Sequence, residues 1–154
     1  MNPTYYAGWS IFRIVFGTYF IQANQFDFSV ILAGVIVGVL SSLVLFIASF
    51  PDYEADKSKG RKTLVIVAGK KKASNIFWVF PVISLGTICL GVISEQFPFS
   101  SLLALLPTPL IILAGIDLKK NYQKTDLLIS PMSKTLLFSR LTGAIFAVGV
   151  LLGI

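Results

Sequence analysis

Histidine is absent from this chain, and cysteine occurs once, at Cys89 inside an apolar run. The first absence excludes imidazole acid–base catalysis, histidine metal sites and histidine-containing nucleophilic triads. The second excludes an intrachain disulfide and a multi-cysteine zinc site, and Cys89 reads as a small buried hydrophobe. Charge is scarce as well. Asp, Glu, Lys and Arg make up 13% of the 154 residues, about half of the roughly 25% usual in globular chains. What takes their place is apolar: 55% of the chain is hydrophobic and mean hydropathy is +0.83. Disorder, collagen and disulfide scaffolds are excluded, and the pattern reads as membrane-spanning helices.

Five apolar segments stand out, at about 5–21, 28–50, 76–93, 99–116 and 135–154. The second has no charged residue over 23 positions, which at about 1.5 Å per residue is roughly 35 Å, enough to cross a bilayer. All five exceed the usual strand length. The expected fold class is all-α, a polytopic membrane protein with five transmembrane helices in a single membrane domain.

The net charge of +6 matters less than where the charges fall, and no nucleic acid is expected as a partner. Counting Lys and Arg, the loop 22–27 holds none, 51–75 holds seven, 94–98 holds none and 117–134 holds four. Basic loops stay in the cytoplasm. The alternation therefore predicts a multi-pass cell-membrane protein with its N-terminus and loops 51–75 and 117–134 cytoplasmic. The first residues show no basic stretch or small-residue cleavage site, so no signal peptide is expected. Pro81, Pro107 and Pro109 fall in the third and fourth segments. Prolines there predict irregular helices, shaped around a pocket or simply kinked by packing. Gly34 and Gly38 form a G-x-x-x-G spacing in the second segment, a candidate close-packing face.

One stretch carries chemistry. As the second span ends, the chain reads Asp52-Tyr53-Glu54-Ala55-Asp56-Lys57-Ser58-Lys59-Gly60-Arg61-Lys62-Thr63-Leu64. On a helix, Asp52 and Asp56 share one face with Cβ atoms about 5–6 Å apart. Two carboxylates so close call for a cation between them. Carboxylates with water and substrate phosphates make a Mg²⁺ site, and the basic residues that follow suit phosphate oxygens. Gly60 allows the chain to turn. The bland alternative is a chance spacing next to an ordinary basic loop. By the same reading Asp117 and Asp126 are solvated, and Lys70, Lys71 and Lys72 anchor the topology near anionic lipid.

The same stretch resembles the second aspartate-rich motif of UbiA-type membrane prenyltransferases, with closest likeness to the 1,4-dihydroxy-2-naphthoate polyprenyltransferases of menaquinone synthesis. Gly17-Thr18-Tyr19-Phe20-Ile21-Gln22 resembles their G-T-Y-Y-x-Q element. That family has nine helices, with its second motif after helix six. Here the motif follows the second of five expected spans, so the chain resembles helices five to nine, half of the bundle.

The resemblance implies a Mg²⁺-dependent transfer of a polyprenyl group from a polyprenyl diphosphate to an aromatic quinone precursor. Asp52 and Asp56 would be the catalytic metal ligands, and Lys57, Arg61 and Lys62 the diphosphate contacts. Membrane lipid would surround the bundle. A glycerol-lipid acceptor of archaeal type, or a non-enzymatic scaffold or transporter subunit, are the other readings. The family's first motif, N-x-x-x-D-x-x-x-D, has no match here. Asn24 and Asp27 lack a second aspartate. The chain alone is thus expected to be inactive, with the N-terminal half, from the same gene or a split partner, as its complement.

Overall fold

The structure, a computed structural model, describes residues 27–153. The expected span 5–21 and the 17–22 element lie outside the described residues.

Among the described residues the fold is helical, without strands. The elements in order are α1 (Phe28–Ala48), α2 (Tyr53–Ser58), α3 (Leu64–Ala68), α4 (Lys70–Ile76), α5 (Val79–Ile93), a 3₁₀ segment η1 (Phe99–Leu105), α6 (Thr108–Asn121), a 3₁₀ turn η2 (Thr125–Leu128) and α7 (Ile129–Leu152). Four rods among them are long and apolar enough to cross a membrane: Phe28–Ala48, Lys70–Ile93, Phe99–Asn121 and Thr125–Leu152.

Each rod begins and ends for a local reason. Asp27 caps α1, its Oδ1 accepting from the Ser29 N–H at 2.8 Å, which satisfies one of the donors a helix start leaves open. Pro51 disfavours helical backbone at the residue before it, and α1 has ended at Ala48. The prolines lie early in their helices. Pro81 and Pro131 are third residues of α5 and α7, Pro109 is second in α6, and Pro107 is the α6 cap. At these positions the missing N–H would have had no intrahelical acceptor. The expected irregularity is present as breaks within the spans, at 77–78 in Lys70–Ile93 and at 106–107 in Phe99–Asn121, and the prolines mark the helix starts that follow.

Serines and threonines along the rods return their hydroxyls to the preceding turn. Ser42, Thr87 and Thr135 donate to the carbonyls of Gly38, Ile83 and Pro131 at 2.8, 2.8 and 2.7 Å. Polar side chains are thereby satisfied within one helix, as a lipid solvent demands.

Helix α1 packs on α5 and α7, and α7 also packs on η1 and α6. The core joins Ile36, Leu43, Phe46, Ile88, Ile111 and Phe138, all 1% exposed or less. Gly34 and Gly38 are both buried, and Ser139 on α7 donates to the Leu40 carbonyl at 3.3 Å. Cys89 is half-buried, less enclosed than the sequence suggested. The outward face is equally apolar, with Val82, Leu90, Ile93, Phe99, Leu106 and Leu151 all exposed. A soluble monomer rarely presents so much contiguous apolar surface, whereas hydrocarbon is its natural solvent.

At Gly91, Gly115 and Gly149 the contacts are tight enough to require glycine. A Cβ on Gly91 would stand 2.1 Å from the Phe97 ring, one on Gly115 2.3 Å from Trp78 Cζ2, and one on Gly149 2.8 Å from the Ser100 carbonyl oxygen. Gly115→Ala must displace a rigid indole, and overpacking of this kind costs about 1–3 kcal/mol. We expect a lowered unfolding midpoint in detergent with a shift in Trp78 emission, read in a Trp9→Phe background. An unchanged midpoint and spectrum would mean the indole does not sit against α6.

Candidate functional site

The acidic motif occupies a short helix of its own. After α1 ends, the chain passes through Ser49–Pro51 and re-enters helix with Asp52 as the cap of α2. The Asp56 N–H donates to the Asp52 carbonyl at 2.8 Å, so the two aspartates are one helical turn apart and on one face. Their environments differ. Asp52 is exposed and its side chain makes no cap bond, while the Asp56 side chain is only 12% exposed.

Gly60 explains how Asp56 comes to be covered. Its φ is +67°, the left-handed conformation that glycine adopts without steric cost. The Gly60 N–H donates to the Lys57 carbonyl at 3.1 Å and the Arg61 N–H to the Asp56 carbonyl at 2.9 Å. These two bonds form a Schellman motif, in which the residue after the left-handed glycine folds back over the last turn. The residue folded back is Arg61, and its Nη1 donates to Asp56 Oδ1 at 2.9 Å. An ion pair thus stands where this motif often has a hydrophobic contact. The Arg61 side chain remains 61% exposed. Thr63 then caps α3, its Oγ1 accepting from the Ile66 N–H at 3.3 Å.

The expected diphosphate contacts separate. Arg61 is on Asp56. Lys57 has its Nζ 5.7 Å from the centre of the Tyr53 ring, within cation–π range. Lys62 is exposed beside Arg61. Glu54 is exposed on α2. Sequence reasoning missed the tie between the two basic loops: Lys70 Nζ also lies 5.0 Å from the Tyr53 ring centre, and Tyr122 lines the same open depression as Tyr53 and Lys70. Both basic loops therefore lie at one end of the bundle.

Asp117 is a correction. It is not merely solvated: it pairs with Lys134, and Ser130 Oγ donates to its Oδ2 at 3.2 Å. The pair ties α6 to α7 near the same end. Asp126 is exposed.

The donor set suits Mg²⁺ as a half-site. Among the described residues no three metal-ligating side chains cluster. Two carboxylates one turn apart are what Mg²⁺ takes from protein when waters and substrate phosphates fill its remaining positions. Arg61 uses one oxygen of Asp56, leaving the other for a cation.

Similarity to known proteins points to one family. The family model described as UbiA prenyltransferase family matches residues 5–137. A 2-carboxy-1,4-naphthoquinone phytyltransferase of Synechocystis is 29% identical over 92 residues, covering 59% of this chain and 30% of the relative. A 1,4-dihydroxy-2-naphthoate octaprenyltransferase of Haemophilus influenzae is 27% identical over 141 residues, covering 89% of this chain and 44% of the relative. The chain thus spans less than half the length of either relative. No solved structure matches it.

Proposed function

The chain belongs to the UbiA prenyltransferase family, and from that premise we propose that it supplies the second acidic motif of a membrane enzyme moving a polyprenyl group from a polyprenyl diphosphate to an aromatic quinone precursor. The observation that carries the proposal is the helical turn joining Asp52 to Asp56, closed by Gly60 so that Arg61 stands on the Asp56 carboxylate. The names of the two relatives differ in the prenyl group and agree in a naphthalene-type acceptor. That agreement favours an aromatic acceptor over a glycerol lipid and leaves chain length open.

In this reading Asp52 and the free oxygen of Asp56 hold Mg²⁺, which when bound supplies Lewis-acid stabilisation of the departing diphosphate. Arg61 holds the Asp56 carboxylate in place through its Nη1 bond, and its side chain stays largely exposed. Lys57 and Lys62 supply point charges to phosphate oxygens. Positive charge fixed where negative charge accumulates is the main way a protein favours such an ionisation, and none of it needs histidine. A complementary N-terminal half brings the first acidic motif. The chain by itself is expected to be inactive. The end of the bundle that carries both basic loops faces the cytoplasm.

Metal dependence tests the reading directly. In membranes where the complete enzyme turns over, EDTA should abolish product formation, and added Mg²⁺, but not Na⁺, should restore it. Undiminished turnover in EDTA would rule out the carboxylate-held cation.

A further inference from the structure

The depression beside Tyr53 takes no part in the chemistry assigned to the acidic motif. It has a volume of about 460 Å³ and is open to the outside. Its lining includes Tyr53, Lys70, Lys71, Lys72, Tyr122 and Gln123, and no acid is among the described residues that line it. Lys70 is held by the Tyr53 ring, 5.0 Å from its centre. Gln123 Nε2 lies 3.5 Å from the Tyr122 hydroxyl as its donor, which leaves the hydroxyl proton available to another acceptor. The depression therefore presents three ammonium groups and phenolic donors, a set that recognises an anion rich in oxygen.

Its depth selects the source of that anion. Lys70 opens the apolar rod Lys70–Ile93, and Tyr122 directly follows the rod Phe99–Asn121. Both residues stand where spans leave the hydrocarbon, the level at which tyrosines and lysines meet lipid headgroups. An open site at that level admits a headgroup whose acyl chains stay in the bilayer. We propose that the depression binds the phosphodiester headgroup of an anionic glycerophospholipid, with Lys70, Lys71 and Lys72 on the phosphate oxygens and Tyr122 donating to them. This assignment is independent of the prenyl-transfer reading.

The test is native mass spectrometry of the chain in detergent, titrated with phosphatidylglycerol and with phosphatidylcholine of the same acyl chains. One phosphatidylglycerol should bind at least about tenfold more tightly than phosphatidylcholine. Lys71→Gln/Lys72→Gln should weaken it about twenty-five-fold, from about fivefold per lysine near an anionic surface. Lys119→Gln/Lys120→Gln, the same charge change at exposed positions outside the lining, should leave it unchanged. Tyr122→Phe keeps the ring and should weaken binding several-fold through the lost hydroxyl. Equal affinity for the two lipids, or equal losses in the two lysine pairs, would overturn the proposal in favour of diffuse attraction. Displacement of the lipid by millimolar inorganic phosphate would overturn it in favour of a free-anion site.

Discussion

Asp56→Ala, made in a reconstituted enzyme to which this chain contributes the second acidic motif, is expected to lower prenyl transfer by about a thousandfold or more, and Asp52→Ala to do the same. The magnitude follows from the several kcal/mol that a Lewis-acidic cation contributes to a charge-separating step, about 1.4 kcal/mol being tenfold in rate. The loss should be catalytic rather than structural. Asp52 is exposed and caps nothing with its side chain, and the guanidinium that Asp56→Ala releases is already 61% exposed and rehydrates. Transfer of label from a radiolabelled prenyl diphosphate, measured beside far-ultraviolet circular dichroism, separates the two causes. Activity within threefold of the parent in both variants would remove the metal ligands from the mechanism.

Gly149→Ala is expected to destabilise the bundle more than Gly91→Ala or Gly115→Ala, whose added Cβ would meet side chains. The added Cβ would meet the backbone of one peptide unit, 2.8 Å from the Ser100 oxygen, 2.9 Å from Ser101 Cα and 3.0 Å from the Ser100 carbonyl carbon. Backbone cannot swing aside as a side chain does, so η1 must move off α7. The Ser100 hydroxyl bond to the Gly149 carbonyl, 2.6 Å long, would be disturbed with it. A cost of about 1–3 kcal/mol corresponds to roughly 3–10 °C in the unfolding midpoint for a chain of this size. Gly143→Ala on the same helix meets nothing within 4 Å and should leave the midpoint level or raise it, since alanine favours helix over glycine by up to about 1 kcal/mol. Equal midpoints for the two variants would mean that η1 does not rest on α7 in this way.

The spans were legible because lipid selects for one coarse property, an uninterrupted apolar length. The turn relating Asp52 to Asp56 was legible because spacing by four fixes a shared helical face. What the spacing did not reveal was the break before it. Pro51 separates α2 from α1, which leaves Asp52 exposed at a cap while Asp56 is covered. Nor did it place Arg61, whose position depends on two backbone bonds made only once Gly60 turns left-handed. The rods that hold the third and fifth apolar segments begin earlier than hydropathy suggested, at Lys70 and Thr125. Their first turns carry polar or charged residues that lie beyond the hydrocarbon yet remain helical. The pairing of Asp117 with Lys134 joins residues on different helices, a relation no local pattern contains.

The 3₁₀ winding of Phe99–Leu105 also bears on how the fourth apolar segment fits its solvent. Its 18 apolar-segment positions, 99–116, would rise about 27 Å as continuous α-helix, short of the roughly 30 Å hydrocarbon core. A 3₁₀ residue rises about 2.0 Å rather than 1.5 Å. Seven such residues in η1 lengthen the segment by about 3.5 Å, which brings it to the thickness of the core. The apolar part of the rod Phe99–Asn121 is thus lengthened toward the bilayer thickness by its winding. The lipid around it need not thin, and the rod can stand close to the membrane normal.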